Sequence, residues 1–270
     1  MRLYLSKCND KLNSKELNTE FITECVCLNP KYRGVTIKNP NTKILMDSGA
    51  FQDTDKDSRI SVEKALERQL KLEEKIGMIS ERIVAYDHIG NVEDTIKANQ
   101  YLISKREELK PRQLVLMIQG VTLKDYIHCL TETLKVASPE DCIGLGGVAM
   151  SGRVNEIKFK LLDSIKIGLP IIYNSKVKDI HIFGVGTFSV LKEVAYIKDV
   201  LRMTGINVNE LNISCDTSAF EIMSTMGNVV DEEQEKWVKV FSKEQKYTEY
   251  HPADLTIENS NKAAKIINKL

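Results

Sequence analysis

No run of 18 or more apolar residues occurs in this 270-residue chain, so no segment reads as a membrane-crossing helix. The N-terminus, MRLYLSKCND, places Ser6, Lys7 and Asn9 where the apolar core of a secretory leader would lie. No leader and a cytoplasmic location are therefore expected. An excess of one charge is missing too: 38 basic residues face 38 acidic ones. That excludes a polycation that coats nucleic acid, so any nucleic-acid contact has to come from a local basic patch. No Pro/Gly/Ser linker, internal repeat or low-complexity tract divides the chain. At 42% hydrophobic and 28% charged it is too apolar for disorder and long enough to bury a sizeable core. Residues 1–270 are read as one domain.

Several chemical signatures are also absent. The cysteines, Cys8, Cys25, Cys27, Cys129, Cys142 and Cys215, lie scattered, mostly in apolar runs. That suits buried thiols in a reducing compartment better than a disulfide framework. Cys25 and Cys27 have no second Cys or His pair at zinc-like spacing. His88, His128, His181 and His251 form no H-E-x-x-H array, and neither G-x-S-x-G nor a P-loop is present. GLGGVAM (144–150) fits a loose G-x-G-x-x-A pattern with Asp163 about twenty residues on. A dinucleotide site would want it in the first βαβ unit, and it falls mid-chain. The alternative is that adjacent glycines let a ligand approach backbone amides. No metal and no cofactor are expected.

What is present is an alternation. Continuous apolar runs occur at 24–28, 43–49, 82–88, 113–120, 142–150, 180–187 and 211–217. Unbroken rather than alternating apolar residues suit parallel strands buried on both faces. Helical patterns lie between them. The segment 61–77 opens on a cap candidate, Ser61, sets Val62, Ala65, Leu66, Leu70 and Ile76 near one face, and stops at Gly77. The segment 91–108 opens on Asn91 with Asp94 three residues on, a capping-box-like start, and Val92, Ile96 and Ile103 keep its period. Segments 122–135, 153–166 and 188–205 continue the series. The pattern predicts an α/β protein, either a (β/α)8 barrel of the TIM type or a doubly wound open sheet. Residues 2–6 supply an eighth strand, or the closing strand lies after residue 240.

The barrel is favoured by where the polar residues fall. Asp47, Asp87, Gln119, the Gly146-Gly147 pair, Gly184 with Gly186, and Asp216 each end a different apolar run. In a barrel all such ends converge on one face, whereas an open sheet gathers only the few at its switch point. Each residue also has a plainer reading. Asp47, in MDSGAFQ, suits a turn that caps backbone N–H groups. Asp87 suits a helix cap, although Asn91 already serves. Gln119 follows a nearly unbroken apolar run, and burying it unpaired costs about 1–3 kcal/mol. Asp216 ends LNISCD, where a charge needs a partner or an open cleft. Two basic clusters, Lys236/Lys239/Lys243/Lys246 and Lys262/Lys265/Lys269, read first as solvated helix faces and second as phosphate contacts. Trp237 and Tyr247 lie by the first.

In order along the chain, these segments resemble the tRNA-guanine transglycosylase superfamily. Asp47-Ser48-Gly49-Ala50-Phe51-Gln52 is similar to its D-S-G-G-[FY]-Q segment, and Tyr86-Asp87 to its [FY]-D. Ile118-Gln119-Gly120 resembles V-Q-G, and Gly146-Gly147-Val148-Ala149 resembles G-G-[LV]-[AS]. Phe183-Gly184-Val185-Gly186-Thr187 resembles M-G-V-G-T. Cys215-Asp216-Thr217 resembles the F-D-[CS] nucleophile segment, and Ser218-Ala219-Phe220 is closer to an archaeal-type D-S-A-A-Y. The resemblance covers residues 43–220 and is strongest there. It departs in Ala50 and Phe183, and no cysteine follows Cys215, so the C-terminal zinc subdomain of the family is not expected.

The resemblance implies an irregular (β/α)8 barrel that exchanges guanine in a polynucleotide for a 7-deazaguanine such as preQ0. Such an exchange needs a carboxylate to attack the anomeric carbon and a second acid to protonate the leaving base. Asp216 is then the nucleophile, and Asp47 the acid and base. Ser48, Asp87 and Gln119 would bind the base, and the amides near Gly146, Gly147 and Val148 its carbonyl oxygen. Phe51 and Phe183, with Gly184, would hold its ring faces, and the base must leave its stack to be reached. The partner is DNA or tRNA, with DNA favoured because tRNA-facing parts are missing, as in the compact DpdA-type transglycosylases. A homodimer or an accessory subunit is a further expectation. The rival readings are a non-catalytic subunit that binds 7-deazaguanine or nucleic acid on the same fold, and an unrelated barrel enzyme on a small metabolite.

Overall fold

The computed structural model describes residues 2–6, 25–31, 37, 39–50, 53, 59–146, 161–185, 188–217, 223–224, 226–234, 236–242, 255, 258–259 and 262. Eight strands carry the apolar runs: β1 (Arg2–Ser6), β2 (Cys25–Leu28), β3 (Lys43–Met46), β4 (Arg82–Val84), β5 (Gln113–Ile118), β6 (Cys142–Leu145), β7 (Asp179–Ile182) and β8 (Asn212–Thr217). They pair in sequence order, each parallel to the next. β1 also pairs with β8, Tyr4 opposite Asp216, so the sheet closes on itself. The closing strand is thus residues 2–6, and the doubly wound open sheet is excluded, because it would leave two edges. The mixed α/β chain forms a parallel barrel.

Among the described residues, five of the crossovers carry helices: α1 (Val62–Ile76) after β3, α2 (Val92–Ser104) and the single turn α3 (Arg106–Leu109) after β4, α4 (Leu123–Val136) after β5, α5 (Leu161–Tyr173) after β6, and α6 (Phe188–Met203) after β7. Their starts follow the local chemistry. Ser61 accepts from the Lys64 amide and Asn91 from the Asp94 amide, while Thr122 and Asp125 form a full capping box. Gly77 ends α1 at φ 69°, a left-handed conformation that costs other residues more. One boundary differs from expectation: α5 runs through Pro170 to Tyr173. Proline lacks the N–H that would bond one turn back, so the continuation is held by packing, with Leu169 and Ile172 fully buried.

The strands are buried on both faces. Ile44, Leu45, Met46, Ile83, Leu116, Ile118, Ile143 and Leu145 are sealed from solvent. Full burial of each such side chain stabilises by about 1.5–3 kcal/mol. The helices also bury polar residues that the apolar period passes over. In α1 the buried set includes Gln69 and Glu73, and in α2 Thr95 and Asn99, while Val62, Leu70, Ile76, Val92, Ile96 and Ile103 are only partly buried.

After the barrel, β9 (Asn228–Asp231) and β10 (Lys236–Lys239) form a separate antiparallel hairpin. This corrects the helical reading of the first basic cluster: Lys236 and Lys239 are on a strand, and the Lys239 ammonium donates to the Met226 carbonyl. In the second cluster Lys262 pairs with Glu258 at 2.6 Å. Lys243, Lys246, Tyr247, Lys265 and Lys269 lie outside the described residues. Among the described residues no helix is long and apolar enough to cross a membrane.

Candidate active site

A parallel closed barrel brings every strand's C-terminal end to one face. Asp47 and Ser48 directly follow β3, Asp87 lies three residues past β4, and Gln119 directly follows β5. Gly146 directly follows β6, Phe183 and Gly184 follow β7, and Asp216 is the last residue but one of β8. The fold therefore gathers these eight residues at one mouth. Phe51, Gly147 and Val148, as well as Gln52, Ala149, Gly186 and Thr187, lie outside the described residues.

Two hydrogen-bonded groups organise the mouth. In the first, Asp87 is the hub. Its Oδ1 accepts from the Ser48 hydroxyl at 3.4 Å, and its Oδ2 accepts from the Gln119 amide nitrogen. That contact fixes the Gln119 amide, because its oxygen would repel the carboxylate. The oxygen, Oε1, then points away, buried and without a partner among the described residues. Asp87 does not cap α2, since Asn91 does. Gly146 makes room for this arrangement: a Cβ there would stand 2.6 Å from Met117 Cε and 2.8 Å from Gln119 Nε2. The glycine is needed for the neighbouring side chains, a reason its motif did not reveal.

In the second group Asp216 is the hub. Its Oδ2 accepts from the Ser6 hydroxyl at 2.7 Å, and its Oδ1 from the Gly184 amide at 2.9 Å. Gly184 holds φ at 73°, which turns its N–H toward the carboxylate. Phe183 packs edge-on against the His181 ring at 4.4 Å between centroids and remains partly exposed.

Asp47 stands between the groups. Its Oδ2 accepts from Asn29 at 3.2 Å and its Oδ1 from the Ser48 amide at 2.8 Å. Desolvation, then the charges of Asp216 and Asp87, push its pKa from 3.8 up to about 7. Desolvation likewise pushes Asp87 up to about 6, opposed by its bonds to Gln119 and Ser48. Three acidic groups thus share one electrostatic environment. Among the described residues no lysine or arginine pairs with any of them.

Positioning residues that the sequence reading missed sit behind the strands. Gln69 of α1 donates to the carbonyls of Met46, Asp47 and Val84 at 3.2, 3.1 and 2.9 Å, which ties the ends of β3 and β4 together. Asn99 of α2 bonds both the N–H and the carbonyl of Met117, two residues before Gln119. Asn29 and Ser6 complete the set. Polar residues on otherwise apolar helix faces are the one sequence signal that marks Gln69 and Asn99. Among the described residues no group of three or more His, Cys, Asp or Glu is arranged to hold a metal.

Fold and site together define a parallel α/β barrel with a carboxylate-rich mouth. No known protein family's profile matches the chain, and a search of curated proteins finds no match.

Proposed function

We propose that this protein is a base-exchange transglycosylase that replaces guanine in a polynucleotide with a 7-deazaguanine, on a (β/α)8 barrel of the TIM type without a zinc subdomain. The observation that carries the reading is an acid with a raised pKa, Asp47, at one mouth with a second carboxylate, Asp216, whose oxygens are held by donors. Asp47 is raised to about 7, so a large share of it carries a proton near neutrality. Asp216 has each oxygen oriented by a donor, Ser6 or Gly184. An acid that can donate beside an oriented carboxylate is the pair that covalent glycosyl transfer needs.

In this reading an Asp216 oxygen bonds to the anomeric carbon as the carbon–nitrogen bond to guanine breaks. The electron pair of that bond goes to the guanine nitrogen, which takes the Asp47 proton. The incoming base then gives its ring N–H proton back to Asp47, its nitrogen bonds to the anomeric carbon, and Asp216 leaves as carboxylate. Asp87 accepts from the base's N1–H and amino group. The unpartnered Gln119 Oε1 is a second acceptor, and satisfying it removes a cost of about 1–3 kcal/mol. The aspartates repel the phosphate backbone, so the nucleotide must be delivered flipped, by contacts elsewhere on the protein or on a second subunit.

DNA is the favoured polynucleotide. The test is incorporation of labelled preQ0 into DNA and, separately, into tRNA, with Asp216→Ala as control. Label in DNA that is lost in the variant supports the reading. Label in tRNA alone moves the partner to RNA. Tight binding of the base with no adduct and no label in either would instead make the chain a binding subunit.

A further inference from the structure

His181 has no part in the chemistry above, yet it is fully buried on β7 beneath the mouth. Its ring is held on both sides, by Tyr4 of β1 at 5.5 Å and by Phe183 at 4.4 Å, both edge-on. Its Nδ1 lies 2.9 Å from the Ser214 hydroxyl. Among the described residues its Nε2 has no hydrogen-bond partner, and it lies 3.5 Å from Asp216 Oδ1. A buried polar nitrogen that faces the proposed nucleophile requires an account.

We infer that His181 is a positioning residue, which presents an Nε2–H to Asp216 Oδ1 and leaves Oδ2 as the attacking oxygen. This rests on the transglycosylase reading for the identity of the nucleophile. The tautomer follows from the hydrogen bonds around Ser214. Arg82 Nη1 donates to the Ser214 oxygen at 2.7 Å, so the hydroxyl keeps one proton and one further lone pair. If that proton goes to the Ile180 carbonyl, 3.1 Å away, Nδ1 must carry its own proton, and a bare Nε2 lone pair faces the Asp216 carboxylate. If the proton goes to Nδ1, Nε2 carries the other and turns a repulsion into an attraction. The second arrangement is the one a neutral ring beside a carboxylate can keep.

The charges around the ring agree. Desolvation is the largest influence and drives the imidazole toward its neutral form, Asp216 opposes it, and Arg82 of β4 adds to it. β1 presents Tyr4, β8 presents Ser214 and Asp216, and β6 pairs Gly144, which cannot titrate, against His181. With the Gly184 amide at 2.9 Å and His181 beyond it, Oδ1 has a donor for each lone pair. Among the described residues Oδ2 has only Ser6, so it keeps a lone pair to attack the anomeric carbon.

Two measurements decide this. The first needs no activity: ring-nitrogen NMR of the intact protein, with His181 assigned through His181→Gln. A neutral Nε2–H ring whose signal shifts on Asp216→Asn is expected. An Nδ1–H ring or an imidazolium at pH 7 overturns the inference. The second compares His181→Gln, which keeps a donor near Nε2, with His181→Phe, which keeps only shape. His181→Phe should lose about 10–100-fold in kcat with KM within about twofold. His181→Gln should recover most of that loss. Ser214→Ala, which frees the tautomer without touching the mouth, should fall between them. Wild-type kcat in a His181→Phe protein of unchanged melting temperature would overturn the inference. If wild-type protein exchanges no base at all, the transglycosylase reading fails, and the ring tautomer still decides whether His181 donates to Asp216.

Discussion

The two ends of the barrel treat charge differently, although at the C-terminal end the buried Asp53 also pairs with Lys31. At the N-terminal end each buried ion meets a counter-ion or several donors. Arg82 pairs with Asp179 and bonds Ser214, and Arg2 pairs with Glu81, which also accepts from Tyr4. Nearby, Arg112 grips Glu73 through both carboxylate oxygens, Ser80 donates to the same carboxylate, and Arg106 pairs with Asp141. At the C-terminal end Asp47, Asp87 and Asp216 meet neutral donors only, apart from the His181 contact. Pairs at the base recover the cost of desolvating ions. Unpaired acids at the mouth keep that cost, which raises Asp47 and Asp87 and suits a site that transfers protons. Ion pairs gather at one end and raised acids at the other, the division by which parallel barrels generally separate stability from chemistry.

The division can be broken most severely at Asp216. On the proposed function, in which Asp216 forms the covalent intermediate, Asp216→Ala should lower the rate of base exchange at least about 10⁴-fold. Its melting temperature should hold or rise, since a like charge leaves the mouth. A parallel loss of stability and activity would mean that Asp216 is structural.

The matching cut at the base is Arg112→Ala. It strands Glu73, which is only 4% exposed, and should cost about 3–5 kcal/mol in urea unfolding. Turnover of the folded fraction should stay within about twofold. A turnover loss of tenfold or more would show that the two ends are coupled.

Asp47→Asn should slow exchange by about 10²–10⁴-fold, the range for losing a general acid. It should also change how stability depends on pH. Asp47 and Asp87 bind their protons more tightly folded than unfolded. Their contribution is therefore complete below about pH 4 and is lost as pH rises through about 6 and 7. Urea midpoints of the wild type should fall from pH 5 to pH 8, and those of Asp47→Asn should fall less. For the rate, Asp87 must be ionised to accept and Asp47 protonated to donate. The exchange rate should rise through about pH 6 and decline above about pH 7, a narrow bell. A rate that stays flat from pH 5 to 9 would rule out these roles.

The smallest effect is expected at Gly146→Ala. The new methyl meets Met117 Cε and the Gln119 Nε2 that bonds Asp87, and both must shift, so the fold should lose about 1–3 kcal/mol. Displacing Gln119 should raise KM for the incoming base several-fold and leave kcat nearly unchanged. An unaltered KM would remove Gln119 from base binding.

The local chemistry of this chain was legible without its structure. Apolar runs placed the strands, and Ser61, Asn91 and Gly77 placed helix ends, because each of these signals acts over a few residues. A charge at the end of an apolar run marked Asp47, Asp87 and Asp216 for the same reason. The sequence left undecided which strand closes the barrel, and it concealed Gln69, Asn99, Asn29 and Ser6. It also misread Lys236 and Lys239, whose strand is fixed by pairing with Asn228–Asp231 rather than by their own period. Ser6 and Asp216 are 210 residues apart in the chain and hydrogen-bonded in the fold. Asp47 is raised because closure removes water from it and brings two other carboxyl groups near. Such effects depend on distance and dielectric, and only the closed barrel sets those.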